Sequence, residues 1–377
     1  MGKIHYIGWY IGEKEVNRYS GNVPAALKMH YMASKLSATG KQVFIYSMAR
    51  RINTGLYRRH ESSEKDFPIV YSSGYSSDNK FLKRLNAFIQ KWDFIYYILF
   101  SVKPEDTIVL YHSVSYTHYL SILRKWFKRH VILEVEEIYG YAAQGDNEHS
   151  LKLEFRSIPK MDEFVLINDY LRDEFNLPKE KCVPCYGVVN IPDRTADRFN
   201  DGKIHVVYAG TIEGRKQGAF LAVETAEYLP NNYMIHVLGF GKEEHISYLK
   251  NRVKEINEKK GHEVVVYHGF MSGRELDEFL FKCHIGISTY VQRDVFANNS
   301  LPSKILTYMC HDLAVVRGTA SAFKMMDISK FWTLYSNGTP EDVAKAIIHA
   351  RVPEIGENTQ YLLSCDKRVE QFLKRYC

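Results

Sequence analysis

No run of this chain reaches the roughly eighteen consecutive apolar residues of a membrane-spanning helix, and its start shows no small-residue cleavage pattern of a secretory leader. The expectation is a cytosolic protein, working in the cytoplasm or at the inner face of the plasma membrane. Cysteine is sparse: the six, at 182, 185, 283, 310, 365 and 377, are spaced as neither a disulfide nor a zinc framework. Cys182 and Cys185 form a lone C-x-x-C that no second pair or His pair completes, so both are expected as packing thiols, and no metal is expected. The basic clusters carry no recognisable nucleic-acid motif, which argues against nucleic acid as a partner.

What the chain does have is length and alternation. Its 377 residues exceed one comfortable core and fit two domains of about 150 to 200 residues. A formal net charge of +6 gives a mildly basic surface suited to anionic lipid or phosphorylated substrates. Strand-like runs at Ile4–Gly8, Gln42–Ser47, Thr107–His112, Val131–Val135, Phe164–Asn168 and Lys181–Tyr186 are separated by helical patterns at Val23–Thr39, Asn79–Val102 and His118–Lys128. That order predicts a parallel sheet covered by helices. The polar, turn-rich stretch 189–203 reads as a linker. Alternation then restarts at His205–Tyr208, so the expected domains are 1–188 and 204–356, with a closing helix in 357–377.

Two segments in the second half suit phosphate. Ser300 and Leu301 lead into Pro302-Ser303-Lys304, which opens a helix carrying Ile305, Leu306 and Met309 at helical spacing. Amides left unbonded at such a start, with the helix dipole, attract anions, and Lys304 adds a full charge. Upstream, Val206-Val207-Tyr208-Ala209-Gly210-Thr211 reads as strand and glycine turn, followed by the basic pair Arg215 and Lys216. Two such elements in one half suggest a nucleotide.

With Ile235-His236-Val237-Leu238-Gly239-Phe240-Gly241, Val264 to Met271 and Cys283 to Ser288 in the same order, this half resembles the GT-B glycosyltransferases, specifically glycosyltransferase family 4. The resemblance implies an α/β fold of two Rossmann-like, doubly wound domains facing across a cleft. It also implies retaining transfer from a nucleotide-sugar, a UDP-sugar favoured, to a glycan or lipid-linked glycan acceptor in bacterial surface polysaccharide synthesis, without a metal or other cofactor. The donor would meet Gly210, Thr211, Gly239, Gly241, Phe270, Met271, Ser300, Leu301, Pro302, Ser303, Lys304 and Thr307, with Arg215 and Lys216 stabilising charge on the leaving diphosphate. One departure stands out: the family's two glutamates, eight positions apart, fall here on Asn299 and Thr307.

In the first half, Leu133-Glu134-Val135-Glu136-Glu137-Ile138-Tyr139 ends a strand in three carboxylates. Strand alternation puts Glu134 and Glu136 on one face and Glu137 on the other. By resemblance, Glu136 and Glu137 lie near the transferred sugar, and Arg18, Gly21, Asn22 and Tyr139 are acceptor-side candidates; a solvated loop and a surface arginine are the plain alternatives. Lys80 to Phe100 is basic and aromatic, as is Lys125-Trp126-Phe127-Lys128-Arg129. The first is expected to bury its aromatic stripe in the domain, peripheral docking on an anionic membrane being the other reading. Two further readings of the whole chain stay open: a sugar-nucleotide epimerase or an inverting transferase, and an accessory subunit without catalysis.

Overall fold

The structure, a computed structural model, describes residues 2–21, 23–64, 67–142, 147–214, 218–289, 301–319 and 326–377. The chain divides into two compact units, Met1–Val188 with Asp366–Cys377, and Val189–Cys365.

The first unit is built on an eight-stranded sheet. Its spatial order is Cys182–Pro184, Glu163–Leu166, His130–Val135, Thr107–Tyr111, Ile4–Gly8, Val43–Ser47, Pro68–Tyr71, His60–Ser63. Neighbours run parallel except the last pair. Ile4–Gly8 is buried at all five positions, because helices cover both faces of a parallel sheet; such strands read as continuous apolar runs. The antiparallel edge strand His60–Ser63 and two small ribbons, Tyr19–Ser20 with Arg50–Arg51 and Gly55–Tyr57 with Gly74–Ser76, were not legible as strands. The helix expected at His118–Lys128 runs instead from Val114 to Leu123. Ser113 is extended just before it, and Lys125 to Phe127 leave it as exposed turns with no core to pack against.

The helix Lys80–Phe100 corrects another expectation. Asn79 caps it by accepting the Phe81 N–H at 2.8 Å, and its buried side carries Gln90, Phe94, Tyr97 and Ile98. Phe81, Phe88, Trp92, Tyr96 and Phe100 lie on the other side, exposed to solvent. The segment holds two apolar faces, and the inward place went to the one nearer its carboxyl end.

The second unit is a fully parallel six-stranded sheet in the order Val265–Gly269, Tyr233–Leu238, Ile204–Ala209, Ile285–Ser288, Ala314–Gly318, Trp332–Tyr335. By chain order this is 3-2-1-4-5-6, the arrangement whose direction reverses between the first and fourth strands and which binds ligands at the carboxyl ends there. The stretch 189–203 contains no helix or strand but is anchored to this unit. Arg198 donates to the carbonyls of Asp312 at 2.6 Å and Pro353 at 2.9 Å, and the Phe199 ring stacks on His205. Asp312 accepts the amides of Gly356, Asn358 and Thr359, capping the helix Glu357–Tyr376. The last turns of that helix belong to the first unit, where Val369 and Leu373 join the core and Asp366 and Glu370 pair with Lys35.

A row of imidazoles crosses the second sheet. His205 Nδ1 lies 2.8 Å from His236 Nε2, His236 Nδ1 lies 2.9 Å from His268 Nε2, and Asp201 receives the far end at His205 Nε2, 2.9 Å. One proton per contact requires the Nε2–H tautomer throughout. Burial, with His268 and His205 beside it, pushes His236 down to about 3. Its folded form stays neutral while the unfolded chain takes a proton below about 6.5, so stability is full above that pH and is lost as pH falls toward 3. The slope from this single group is about 1.4 kcal/mol per pH unit. Urea denaturation of the second unit is therefore expected to weaken steadily from pH 6.5 to 4.5, with a slope shallower by about one proton in His236→Gln; identical slopes would exclude the ladder as the cause.

Candidate functional site

At the switch point of the second unit, a depression of ≈ 180 Å³ is lined by Gly210, Leu238, Gly239, Phe240, Phe270, Met271, Ser303, Lys304, Thr307 and Tyr308, among others. Pockets enclosing a drug-sized ligand measure ~300–1,000 Å³, so this depression has room for only part of such a molecule. No carboxylate is among the described residues that line it.

Two glycine turns form its floor. Gly210 N–H donates to Leu238 O at 3.0 Å, Ile212 N–H to Phe240 O at 2.8 Å and Gly239 N–H to Gly269 O at 2.8 Å, which holds three successive turns side by side. A side chain on Gly239, whose φ is +149°, would land on the Gly210 carbonyl oxygen, and one on Gly210 would land on the Lys304 ammonium. Lys304 Nζ therefore reaches the turn itself, 3.9 Å from the centre of the Tyr208 ring. Its helix, Ser303–Cys310, starts after Pro302, which has no N–H to leave unbonded. Tyr308 ties helix to sheet: its hydroxyl accepts from Ala209 N–H at 2.9 Å and donates to Ile287 O at 3.3 Å. Phe240 and Phe270 stand edge to face, centroids 5.3 Å apart, both largely exposed. They offer flat apolar walls beside a cation and backbone amides, which is what a base and a diphosphate require.

Of the donor candidates, Gly210, Gly239, Phe270, Met271, Ser303, Lys304 and Thr307 thus share one depression. Gly241 does not line it; its Cα is pressed against the Ile212 carbonyl, making it a packing glycine. Thr211 is exposed outside it, and Leu301 and Pro302 precede the helix without entering it. Thr307 points its hydroxyl to Ser303 O at 3.3 Å. Arg215, Lys216, Asn299 and Ser300 lie outside the described residues. Phe240 and Tyr308 were missed by sequence reasoning. An exposed aromatic between two glycines was the available signal for Phe240; Tyr308 had none, since it reads as an ordinary core residue.

In the first unit, the three-carboxylate strand end is no solvated loop. Glu134 is wholly buried, accepts the Tyr6 hydroxyl, and lies 3.9 Å from Lys28, whose ammonium is 3.2 Å from Glu136. Lys28 also donates to Cys185 O at 3.3 Å and approaches its Sγ at 3.2 Å, so Cys185 packs as expected. Burial outweighs Lys28 and pushes the Glu134 carboxyl well above the usual carboxylate range. Burial, then the charges of Glu136 and Glu154, raises Glu137 above the usual carboxylate range. Strand alternation correctly groups Glu134 with Glu136, but their common partner, Lys28, was not foreseen.

Beside them, His112 ends the strand Thr107–Tyr111 and is held by Thr117 at 2.9 Å and Glu154 at 2.8 Å. Glu154 accepts the amides of Tyr139 and Gly140, both at 2.9 Å, and so fixes the turn that follows Glu137. Tyr139 is half-buried there. Arg18 pairs with Glu15 at 3.5 Å and is mostly exposed, while Gly21 is exposed; Asn22 lies outside the described residues. No group of three or more His, Cys, Asp or Glu among the described residues is arranged to hold a metal ion. No helix among them is long and apolar enough to cross a membrane.

No protein-family model matches the chain, and no curated protein sequence does so significantly. Solved structures do. A trehalose-6-phosphate structure from E. coli bound with UDP-2-fluoro glucose is similar over 100% of this chain and 97% of its own, at 10% identity and TM-score 0.61. An α,α-trehalose-phosphate synthase (UDP-forming) from Burkholderia xenovorans in complex with glucose-6-phosphate is similar over 100% and 98%, at 8% identity and TM-score 0.60. Anabaena Alr3699/HepE in complex with UDP is similar over 99% and 100%, at 11% identity and TM-score 0.60. At such identities the likeness establishes the fold, and the fold is the α/β GT-B type, two Rossmann-like units in one chain.

Proposed function

We propose that this chain is a retaining glycosyltransferase that takes a sugar from a nucleotide donor, a UDP-sugar favoured, and passes it to a glycan or lipid-linked glycan in bacterial surface polysaccharide synthesis. The observation that carries the reading is Lys304 set against the Gly210 turn beneath two exposed aromatic rings, at the switch point of a 3-2-1-4-5-6 sheet. Support comes also from the similar structures, which hold UDP, UDP-2-fluoro glucose and glucose-6-phosphate. The ordered motifs of the second half favour family 4 as the relation within the GT-B fold.

In the proposed reaction the bond between the anomeric carbon and the diphosphate oxygen breaks, and the acceptor hydroxyl oxygen bonds to that carbon on the same face. Its proton passes to the departing phosphate oxygen. Charge grows on the diphosphate, so a fixed ammonium and helix amides stabilise the transition state more than the ground state. Arg215 and Lys216 are assigned to the same charge. Glu137, with its raised carboxyl, is the acceptor-side group of this reading, and Tyr139, Arg18, Gly21 and Asn22 are assigned to holding the acceptor; Glu136, engaged by Lys28, orients rather than reacts.

A panel of UDP-, GDP- and other nucleotide sugars, assayed for release of the nucleoside diphosphate with and without sugar-phosphate or glycan acceptors, tests it. The expected result is slow hydrolysis of one donor, accelerated by one acceptor class, with the anomeric configuration kept. Inversion would contradict retention, and binding of no nucleotide at all would favour the accessory role.

A further inference from the structure

We propose that the first unit carries a docking surface for an anionic phospholipid bilayer, formed by the outer face of the helix Lys80–Phe100 and the basic hollow beside its carboxyl end. The proposal does not depend on the transfer chemistry, and its test needs no sugar donor.

Phe81, Phe88, Trp92, Tyr96 and Phe100 recur at i, i+7, i+11, i+15 and i+19, one stripe about 30 Å long on a helix of this length. Their exposure runs from 52% for Trp92 to 75% for Phe81. Aromatic side chains are costly to leave in water, and a contiguous row of them marks a surface that something else covers. Lys80, Lys83 and Arg84 are exposed around the same helix's first turns.

The turn after the helix Val114–Leu123 adds exposed Lys125, Trp126 and Lys128. At its far end Arg129 donates to Val102 O at 3.2 and 3.0 Å, two residues past Phe100, and the helix that precedes the turn meets the aromatic helix where Lys91 Nζ lies 4.8 Å from the centre of the Tyr119 ring. Next to it opens a hollow of ≈ 590 Å³ lined by Arg124, Lys125, Lys128, Arg129 and Lys160 among others, with Asp162 the one carboxylate among the described lining residues. Arg124 is engaged with Asp162 and with Lys160 O, which leaves the lysine ammonium groups at the rim as the contacts for a phosphate.

Aromatic rings sit at the level of lipid headgroups, and lysines beside them meet the negative potential of an anionic leaflet. A second copy of this chain fits the surface poorly, since it would bring the same cations face to face. The chemistry recognised is therefore the phosphodiester of an anionic headgroup together with the first methylenes of the acyl layer.

Flotation of the full chain with vesicles of phosphatidylcholine alone, and of phosphatidylcholine mixed with phosphatidylglycerol, reads the proposal. Partitioning to the mixed vesicles is expected to be at least about tenfold stronger and to fall with added salt. Phe88→Ser with Trp92→Ser should weaken it about tenfold or more. Lys125→Gln with Lys128→Gln should weaken it about 25-fold, near fivefold per charge removed, while leaving the weak binding to neutral vesicles alone. All four side chains are exposed, so the melting curves of these variants should overlay the parent's. Equal partitioning to both vesicle types, or binding unchanged in the Phe88/Trp92 variant, would overturn the proposal. So would a dimer that dissolves in that variant while vesicle binding is absent, which would make the surface an interface between copies.

Discussion

Replacing Lys304 with alanine is expected to lower kcat/KM for the sugar donor by about 10²–10³-fold, the loss found when one preorganised donor to a developing oxyanion is removed. The lysine comes from the first turn of a helix and reaches across to the glycine turn of a neighbouring strand, so its charge and the helix amides converge on one small volume. It packs over the Tyr208 ring, and a substitution of this size should move the melting temperature by no more than a few degrees. Gly210→Ala makes the complementary test. Its methyl would occupy the place of the ammonium and push aside a flexible side chain, at a φ of +159° that also strains any side chain, so donor turnover should fall together with a modest loss of melting temperature. Steady-state kinetics of both variants check this; a Lys304→Ala enzyme within threefold of the parent would remove the lysine from the mechanism.

Lys28→Met should destabilise the first unit by about 3–5 kcal/mol, the cost of removing one partner of a buried ion pair. Lys28 is buried, and its ammonium serves Glu136, Glu134 and Cys185 at once. Without it, Glu134 loses the main influence that holds its carboxyl down against burial and rises further. A carboxyl raised on folding contributes stability that is present below its unfolded value of about 4.5 and is lost as pH climbs through the folded value. The Lys28→Met variant should therefore be weakest in alkali. Adding Glu136→Gln removes the carboxylate left 3.2 Å from the missing ammonium and should recover a large part of the loss, as a double-mutant cycle in guanidinium chloride would show. Additive losses would mean that the two residues do not act on each other.

The parts legible beforehand were those whose signals are local. Pro302 and the glycines at 210 and 239 mark their turns because each does something only that residue can do: an absent N–H, or an absent Cβ where a carbonyl or an ammonium passes. The parallel sheets followed from alternation of strand and helix, which needs no knowledge of contacts. Lys28 was invisible because its partners lie 106 to 157 residues away and a lysine on a helix reads as solvated. The imidazole row was hidden for a similar reason: His205, His236 and His268 come from three strands, and only sheet order and register bring them together. The aromatic helix misled because periodicity shows that faces exist without saying which turns inward; two apolar faces compete, and the one holding Phe94, Tyr97 and Ile98 fills the core.

The central claim is that the depression beside Gly210 and Lys304 receives a nucleoside diphosphate, and the most direct measurement is calorimetric titration of the full chain with UDP, UMP and uridine. Each charge-assisted phosphate contact is worth about 1.5–3 kcal/mol. UDP should therefore bind at least about tenfold tighter than UMP, with uridine weaker again and the UDP advantage gone in Lys304→Ala. Equal affinity for all three ligands, or no heat with any of them, would contradict it.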